Sequence, residues 1–360
     1  FDQIPDLAGY NTLLQMVLRD RNDALNGVTT FNNNLIRPSA SVGLHPQLVA
    51  YDVSRDDGVV VGKNPPGQAI VRPGGEPKTY RWYAGDILTV PGRRNQVDLL
   101  ATPVEFGATN LSPADKIKQG QKGLVGALII EPEGATWDED ANQRASATVN
   151  PGEPGEFRDF AVVFQKGLNL RYGDDGTPVE NIAGEGGAIP EDSHDAGQKA
   201  VNYGTEPAWF RFGLRANAAF GAGLGGVSNA HEFYSNALAG NEDPATPVFT
   251  ADAGQEVRMR ILQPTGVGRG TTFDLQGHLW QRDPYLKDPV TDFPSKTIGD
   301  NPHALYLAHQ ESITPSAHFD IVLPKAGGAY SVGGDYLWRD HGSFGNTDGL
   351  WGILRVNPVP

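Results

Sequence analysis

Short apolar runs separated by Gly, Pro and Asp make up most of the chain from residue 35 onward. Runs of this length and composition predict β-strands. The predicted strands are 48–53, 79–87, 97–106 and 124–132, then 160–165, 247–252, 257–264, 271–280, 318–324, 329–340 and 351–359. Because no helical patterns alternate with them, the chain is expected to form β-sandwiches or β-barrels.

A different pattern occupies residues 10–20. Its apolar residues recur at spacings of three and four and are Tyr10, Leu13, Leu14, Val17 and Leu18. This spacing predicts a short N-terminal helix that packs on the edge of a barrel.

The stretch 137–157 combines Pro, Gly and acidic residues with little that could be buried, which predicts a linker. A length of 360 residues also favours two domains. We therefore expect a first domain over 1–145, including the helical extension, and a second over 156–360.

The composition of the chain excludes several kinds of binding partner and metal ligand. The formal net charge of -14 gives no electrostatic reason to bind nucleic acid or an anionic membrane surface. No apolar run is long enough to span a membrane. Cysteine is absent, so the chain can supply neither a disulfide nor a thiolate ligand. The start at Phe1 suggests that a leader has been removed or that the chain is a fragment.

Residues 271–278 resemble the His-Pro-aromatic-His-Leu-His-Gly-His run of the multicopper oxidases. Phe273, Leu275, Gly277 and His278 match that motif. Its other three ligand positions hold Thr271, Asp274 and Gln276.

A second run, 336–352, resembles the Tyr-His-Cys-His segment of the same family. The His-Cys-His triplet is replaced by Arg339, Asp340 and His341. The later His and axial Met positions hold Gly345 and Leu350.

The first half of the chain also contains segments that resemble motifs of this family. Residues 44–49 are similar to the His-Pro-His-Gly-Val run of ceruloplasmin-like domains, with His45 retained and Gln47 in place of the second His. Residues 73–82 and 122–130 resemble the Pro-Gly-Gly, Tyr-x-Tyr-x-Trp and closing-strand patterns of these domains.

The resemblance implies two cupredoxin-like Greek-key domains with long loops, in which the copper ligands are largely replaced. A blue-copper centre needs a Cys thiolate, and none is present. The family's oxygen-reducing cluster uses His-x-His pairs, whereas none of the eight His residues here is separated from another by one residue. We therefore expect no cofactor in this chain, with copper only in partner segments.

Two hypotheses concern the altered site. Asp274 and Arg339 stand at positions that converge in the family, so we predict an ion pair between them. The alternative is a single metal ion held by His278 and His341 with Asp274 or Asp340. Calcium in an acidic turn is a weaker alternative; the candidate turns are 56–58, 138–140 and 174–176.

The leading functional hypothesis is a structural or assembly module outside the cytoplasm, whether secreted, periplasmic or on the cell surface, with protein partners or as a homo-oligomer. One alternative is a section or subunit of an active multicopper oxidase that oxidises metal ions, such as manganese, or small organics, with its coppers bound elsewhere. Another is a matrix- or carbohydrate-binding protein, which requires a groove of exposed aromatic residues. The candidates for that groove, which we expect in the core instead, are Trp209, Trp280, Tyr285, Trp338 and Trp351.

Overall fold

The computed structural model describes residues 15–19, 28–32 and 38–359, except 68–69, 117, 142–144, 153–154, 169, 178–198, 215–227, 267–270, 288–293, 299–300, 302 and 343–346. Within these residues strands dominate, and the α-helical structure is one short helix, α1 (Ala208–Arg211). The predicted all-β fold class is confirmed.

The strands fall into an N-terminal part, up to residue 135, and a C-terminal part. The first contains β1 (Gln15–Arg19), β2 (Val28–Asn32), β3 (Leu44–Pro46), β4 (Gly85–Pro91), β5 (Val97–Pro103), β6 (Gly107–Pro113) and β7 (Gly126–Ile130). The second contains β8 (Thr136–Glu139), β9 (Ser146–Asn150), β10 (Phe157–Lys166), β11 (Lys199–Val201), β12 (Val248–Asp252), β13 (Val257–Gln263), β14 (Thr271–Leu275), β15 (Trp280–Gln281), β16 (Tyr285–Lys287), β17 (Pro294–Ile298), β18 (Tyr306–Leu307), β19 (His309–Ile313), β20 (Ala317–Leu323), β21 (Gly334–Asp340) and β22 (Trp351–Asn357). Short 3₁₀ turns span Arg93–Asn95, Gly120–Lys122, Ala230–Glu232, Asn236–Ala239 and Gly328–Tyr330.

Two sheets form the sandwich of the C-terminal part. One has the strand order β20-β13-β10-β9-β8, with β11 added to β10, and the other has the order β12-β22-β21-β14-β19. Each sheet contains one parallel pair, β10 with β13 and β12 with β22, among antiparallel neighbours. The chain crosses from one sheet to the other between β12 and β13, between β13 and β14, between β19 and β20 and between β20 and β21, as expected for a Greek-key sandwich.

Alternation along the strands fills the space between these sheets. Phe160 and Met259 from one sheet meet Phe249, Phe273 and Trp338 from the other, and all five side chains are fully buried. Phe249 stacks on Phe160 at 4.6 Å and on Trp338 at 5.8 Å between ring centroids. Each fully buried large apolar side chain contributes about 1.5–3 kcal/mol relative to an exposed one, so this core dominates the stability of the sandwich.

The predicted helix over residues 10–20 is wrong where the structure describes it. Residues 15–19 form β1, which pairs antiparallel with β2. Over five residues, apolar spacing does not separate a helix from a strand, and a long-range partner decides. The β-branched run Val28-Thr29-Thr30 supplies that partner. Residues 10–14 and 20 lie outside the described residues.

The predicted linker over 137–157 is also wrong. Residues 136–139 and 146–150 form β8 and β9, which extend the sheet of β10. Two of the polar residues here also have a partner on β10: Arg158 donates to Asp140, at 3.0 Å for one pair, and to Thr148 at 2.9 Å. The division into domains 1–145 and 156–360 stays a prediction.

The N-terminal part is less regular. Its described strands form a three-stranded sheet, β3-β6-β7, and two hairpins, β1-β2 and β4-β5. The predicted strand 48–53 is absent, with Ala50 making an isolated bridge to Tyr83. Leu48 has φ +64°, which interrupts the extended backbone there.

The two parts meet on the outer face of β10, β13 and β20. Apolar residues make one half of this contact, with Ala108 of the N-terminal part buried against Val163 and Leu262. The approach is close at Gly107, where a Cβ atom would lie 2.2 Å from the Asp320 carboxylate. Gly107 has φ +66°, so both its conformation and its surroundings require glycine.

A buried charge network, the 258/260 network, makes the other half of the contact. Arg260, which is fully buried, donates to Asp159 at 2.7 Å, to Asp320 at 3.0 Å and to Glu131. Arg258 donates to Glu105 at 2.6 Å and contacts Glu131 at 3.6 Å. Glu105 and Glu131 belong to the N-terminal part, so the network ties the two parts together.

Candidate functional site

Strands β14, β21 and β22 are neighbours, and the first two carry four of the predicted ligand positions, Thr271, Asp274, Arg339 and Asp340. β21 lies between the other two and pairs antiparallel with both. Asp274 on β14 lies directly opposite Arg339 on β21. The frame inferred from the two sequence motifs therefore corresponds to neighbouring strands.

The predicted ion pair is confirmed. Arg339 Nε donates to Asp274 Oδ2 at 3.1 Å, and both side chains are half-buried. His341 joins the pair, because its Nδ1 lies 3.0 Å from Arg339 Nη2 and 3.5 Å from Asp274 Oδ2. A guanidinium and a carboxylate thus lie together at the two positions that the sequence motifs align with imidazole ligands.

A second group, the 166/271/340 group, contains two of the other motif positions, Thr271 and Asp340, together with Lys166. Lys166 Nζ, at the end of β10, donates to Thr271 Oγ1 at 2.9 Å and lies 3.0 Å from Asp340 Oδ2. Thr271 Oγ1 in turn donates to Asp340 Oδ2 at 2.7 Å. The Lys166 and Asp340 side chains are 2% and 0% exposed, so this is a buried ion pair with a hydroxyl completing it.

Sequence reasoning missed Lys166. One signal was available: a Lys at the end of the otherwise apolar run 160–165 needs a partner if the strand is buried. The identity of that partner was not readable from the sequence, because Thr271 and Asp340 are separated from Lys166 by more than a hundred residues.

A similar pair lies beside this group. Lys199 on β11 is opposite Lys166 in the strand register, and its Nζ donates to Asp348 Oδ2 at 2.7 Å. Both side chains are buried. Each Lys therefore has its own Asp, which compensates the two like charges that the register brings close together.

His278 has a structural environment. Its Nδ1 lies 2.8 Å from the Gln276 carbonyl oxygen, and its Nε2 accepts hydrogen bonds from Gly327 N at 3.0 Å and Gly328 N at 3.1 Å. Burial lowers the pKa of the ring. A neutral imidazole with Nδ1 protonated satisfies all three contacts, and both ring nitrogens are then engaged with backbone.

The residues of the alternative metal site have other partners. His278 contacts backbone, Asp340 pairs with Lys166, and Asp274 pairs with Arg339 next to the exposed His341. Within the described part of the chain, no three His, Cys, Asp or Glu side chains form a group suited to a metal ion. Whether this chain binds a metal stays a prediction.

The remaining predicted positions are dispersed. His45 Nδ1 lies 2.6 Å from Asp57 Oδ1, and Gln47 Oε1 accepts from Asn110 Nδ2 at 3.2 Å. Leu350 is fully buried in the core of the sandwich, where it packs against other apolar side chains. Gln276 is exposed. Gly345 lies outside the described residues.

The acidic turns have partners of their own. Asp57 lies beside His45, and Asp140 pairs with Arg158. Asp175 Oδ1 accepts from the Thr177 backbone at 2.8 Å, as in an ordinary Asx turn.

The aromatic residues considered for a carbohydrate groove are mostly in the core. Trp280, Trp338 and Trp351 are fully buried, as predicted, and Trp209 is half-buried with its ring edge-on to Tyr172. The side chain of Tyr285 lies outside the described residues.

The 166/271/340 group does not fit copper. Copper in a thiolate–imidazole site requires neutral or anionic donors, whereas a Lys ammonium brings a positive charge and donors alone. Asp340 stands where the motif has its Cys, and its carboxylate is already bound by the ammonium. The donor set supports a charge-balanced, closed site.

No protein-family model and no curated protein matches the chain. Similar solved structures include a copper nitrite reductase from Nitrosomonas europaea at pH 8.5, with 12% identity over 88% of this chain and 74% of that one, at a TM-score of 0.43. A multicopper oxidase is similar with 13% identity over 88% and 70%, at 0.39. A copper-containing nitrite reductase from Thermus scotoductus has 12% identity over 72% and 43%, at 0.36. Such distant likenesses carry no argument about function.

No helix among the described residues has the length and apolar character needed to cross a bilayer.

Proposed function

We propose that this chain is a cupredoxin-type protein that has lost its copper sites and acts as a structural or assembly module outside the cytoplasm. The observation that supports this most directly is the 166/271/340 group. The buried ammonium group of Lys166 is bound by Thr271 and Asp340. This side chain provides the positive charge that a bound metal ion provides in a copper protein.

The Arg339–Asp274 pair supports the same proposal. Its guanidinium occupies a position whose counterpart in the resembled motif is an imidazole, and it is held by a carboxylate at 3.1 Å. Two of the replaced sites therefore carry a cation of the protein itself. A protein in which both sites are charge-balanced without metal keeps its strand frame without needing copper to fold.

The extracytoplasmic location rests on the motif resemblance to secreted oxidases. Cell fractionation of the source organism checks it, and recovery of the chain with cytoplasmic markers contradicts it.

The test of the copper-free proposal is a metal measurement on the purified protein. The chain is incubated with excess Cu(II), washed with a chelator, and analysed for copper by mass spectrometry. We expect less than about a tenth of a copper per chain after the wash, because no thiolate is present and the buried site holds an ammonium. Stoichiometric copper that survives the wash overturns the proposal.

A variant and an assay complete the test. His341→Gln removes the exposed imidazole, so copper that disappears with this change before the wash was bound at the surface. Oxidation of Mn(II) or of a phenolic compound by the copper-treated protein should not exceed that of the buffer. Sustained turnover that consumes oxygen contradicts the non-enzymatic role.

A further inference from the structure

The hairpin β4-β5 exposes an unusual amount of apolar side chain. Its exposed residues include Ile87, Leu88, Val97, Leu99 and Leu100, with Leu99 67% and Val97 65% exposed. Five such side chains present on the order of several hundred Å² of apolar surface, a size at which a patch on a monomer is often functional.

The edges of this hairpin are open. β4 and β5 pair with each other and with no other strand of the described chain. A two-stranded hairpin alone is marginally stable in water, and an open, apolar edge favours pairing with another chain. Both features indicate that the hairpin would be stabilised by pairing with a further strand.

The hydrogen-bond register shows which backbone groups are open. Val104 N donates to Ala84 O, and Gly92 N donates to Gln96 O, so the even-numbered pairs of the hairpin are the hydrogen-bonded ones. The odd-numbered residues of β5 therefore point their N–H and C=O groups away from β4. These residues are Val97, Leu99, Ala101 and Pro103.

We propose that β5 pairs antiparallel with β5 of a second copy of this chain across a twofold axis through Leu100. Antiparallel pairing of a strand with itself is the arrangement that a twofold axis produces. Leu99 and Ala101 then exchange both backbone hydrogen bonds with their counterparts. The Val97 N–H donates to the Pro103 carbonyl of the second copy, so this outer pair keeps one bond although Pro103 has no N–H to donate in return.

This register also covers the apolar surface. It creates a four-stranded sheet in the order β4-β5-β5-β4, which meets the size needed for a stable sheet. Leu99 and Val97 lie on one face with Ile87, and Leu100 lies on the other with Leu88. Each face gains a second copy of the same apolar set, so both faces become continuous across the axis.

The dimer is independent of the proposed function, since it is compatible with either outcome of the copper measurement. The experiment uses the absence of cysteine from the chain, because one introduced Cys is then the only thiol. Leu100→Cys places this thiol on the axis, where opposed Cα atoms are about 4.5 Å apart in an antiparallel pair, within the range for a disulfide. Leu305→Cys is the matched control, because Leu305 is 68% exposed in the other part of the molecule.

We expect mild oxidation to convert most of the Leu100→Cys protein, and little of the Leu305→Cys protein, to a covalent dimer. Equal cross-linking of the two variants overturns the proposal, as does a Leu100→Cys protein that stays monomeric because another segment or partner covers the hairpin.

A second measurement uses no thiol. In analytical ultracentrifugation, the wild-type protein should sediment as a dimer. Leu99→Lys should raise the dissociation constant of this dimer at least tenfold, and Leu305→Lys should leave it unchanged. A wild-type protein that sediments as a monomer also overturns the proposal.

Discussion

At the scale of single residues, the notable feature is an oppositely charged pair, Lys166 and Asp340, that is buried in the core and also hydrogen-bonded to neighbouring groups. Lys166 and Asp340 are essentially inaccessible to water, yet Thr271 and the Gly342 backbone complete the hydrogen bonds of the carboxylate. Such a pair contributes little net stability compared with apolar residues, but breaking it is costly because a single buried charge remains.

We therefore predict that Lys166→Met destabilises the protein by about 3–5 kcal/mol, since it leaves Asp340 without its cation. The free energy of unfolding is measured in urea by tryptophan fluorescence. Adding Asp340→Leu to the same chain should recover much of the loss. Arg282→Met, which removes an exposed ion pair with Glu311, is the control and should cost less than about 1 kcal/mol. A Lys166→Met protein as stable as Arg282→Met contradicts the argument.

At the scale of elements, β10 explains what the sequence could and could not reveal. Its apolar run predicts a buried strand correctly, because β-branched and aromatic residues carry that signal locally. The resemblance also placed Asp274 beside Arg339, because the counterparts of these positions converge in the family that the motifs resemble. The partners of Lys166, in contrast, depend on strand order, which brings β10, β14 and β21 together from distant segments.

The same reasoning explains the wrong linker. Residues 137–157 look like a solvated connection because they combine Pro, Gly and acidic residues with few apolar ones, whereas the sheet supplies Arg158 and the β10 backbone as partners. We predict that hydrogen exchange will show residues 146–150 protected to a degree similar to β10. The loop at 61–67 is the comparison and should exchange at close to the rate of an unstructured peptide. Equal, fast exchange in both segments would contradict the strand assignment.

At the scale of the whole molecule, the 258/260 network places two guanidinium groups among a larger number of carboxylates where the two parts meet. The excess of negative charge has a consequence for protonation. Burial, opposed by Arg260 and reinforced by Asp159, raises the pKa of Glu131 from 4.5 to about 7. Burial likewise raises the pKa values of Glu105 and Asp159.

A raised carboxyl pKa means that the folded protein holds a proton that the unfolded chain has released. The stabilisation from this proton is complete below about pH 4.5 and is lost as the pH rises through about 7. Burial lowers the pKa values of His278 and His318, which acts in the opposite sense as the pH falls. Total stability against pH therefore mixes both effects, and a variant is needed to isolate Glu131.

We predict that the free energy of unfolding of wild type, measured relative to Glu131→Gln, falls by at most about 3 kcal/mol between pH 5 and pH 8. The amide side chain of this variant cannot titrate, while the histidines contribute equally to both proteins and cancel in the difference. Glu256→Gln is the control, because Glu256 also contacts Arg258 but is more exposed; a fall of equal size relative to this variant would show that the effect is not specific to Glu131. If the stability–pH curves of wild type and Glu131→Gln run parallel, the prediction is wrong. Glu131 would then take up no proton in the folded protein, because Arg260 and Arg258 keep it ionised between pH 5 and pH 8.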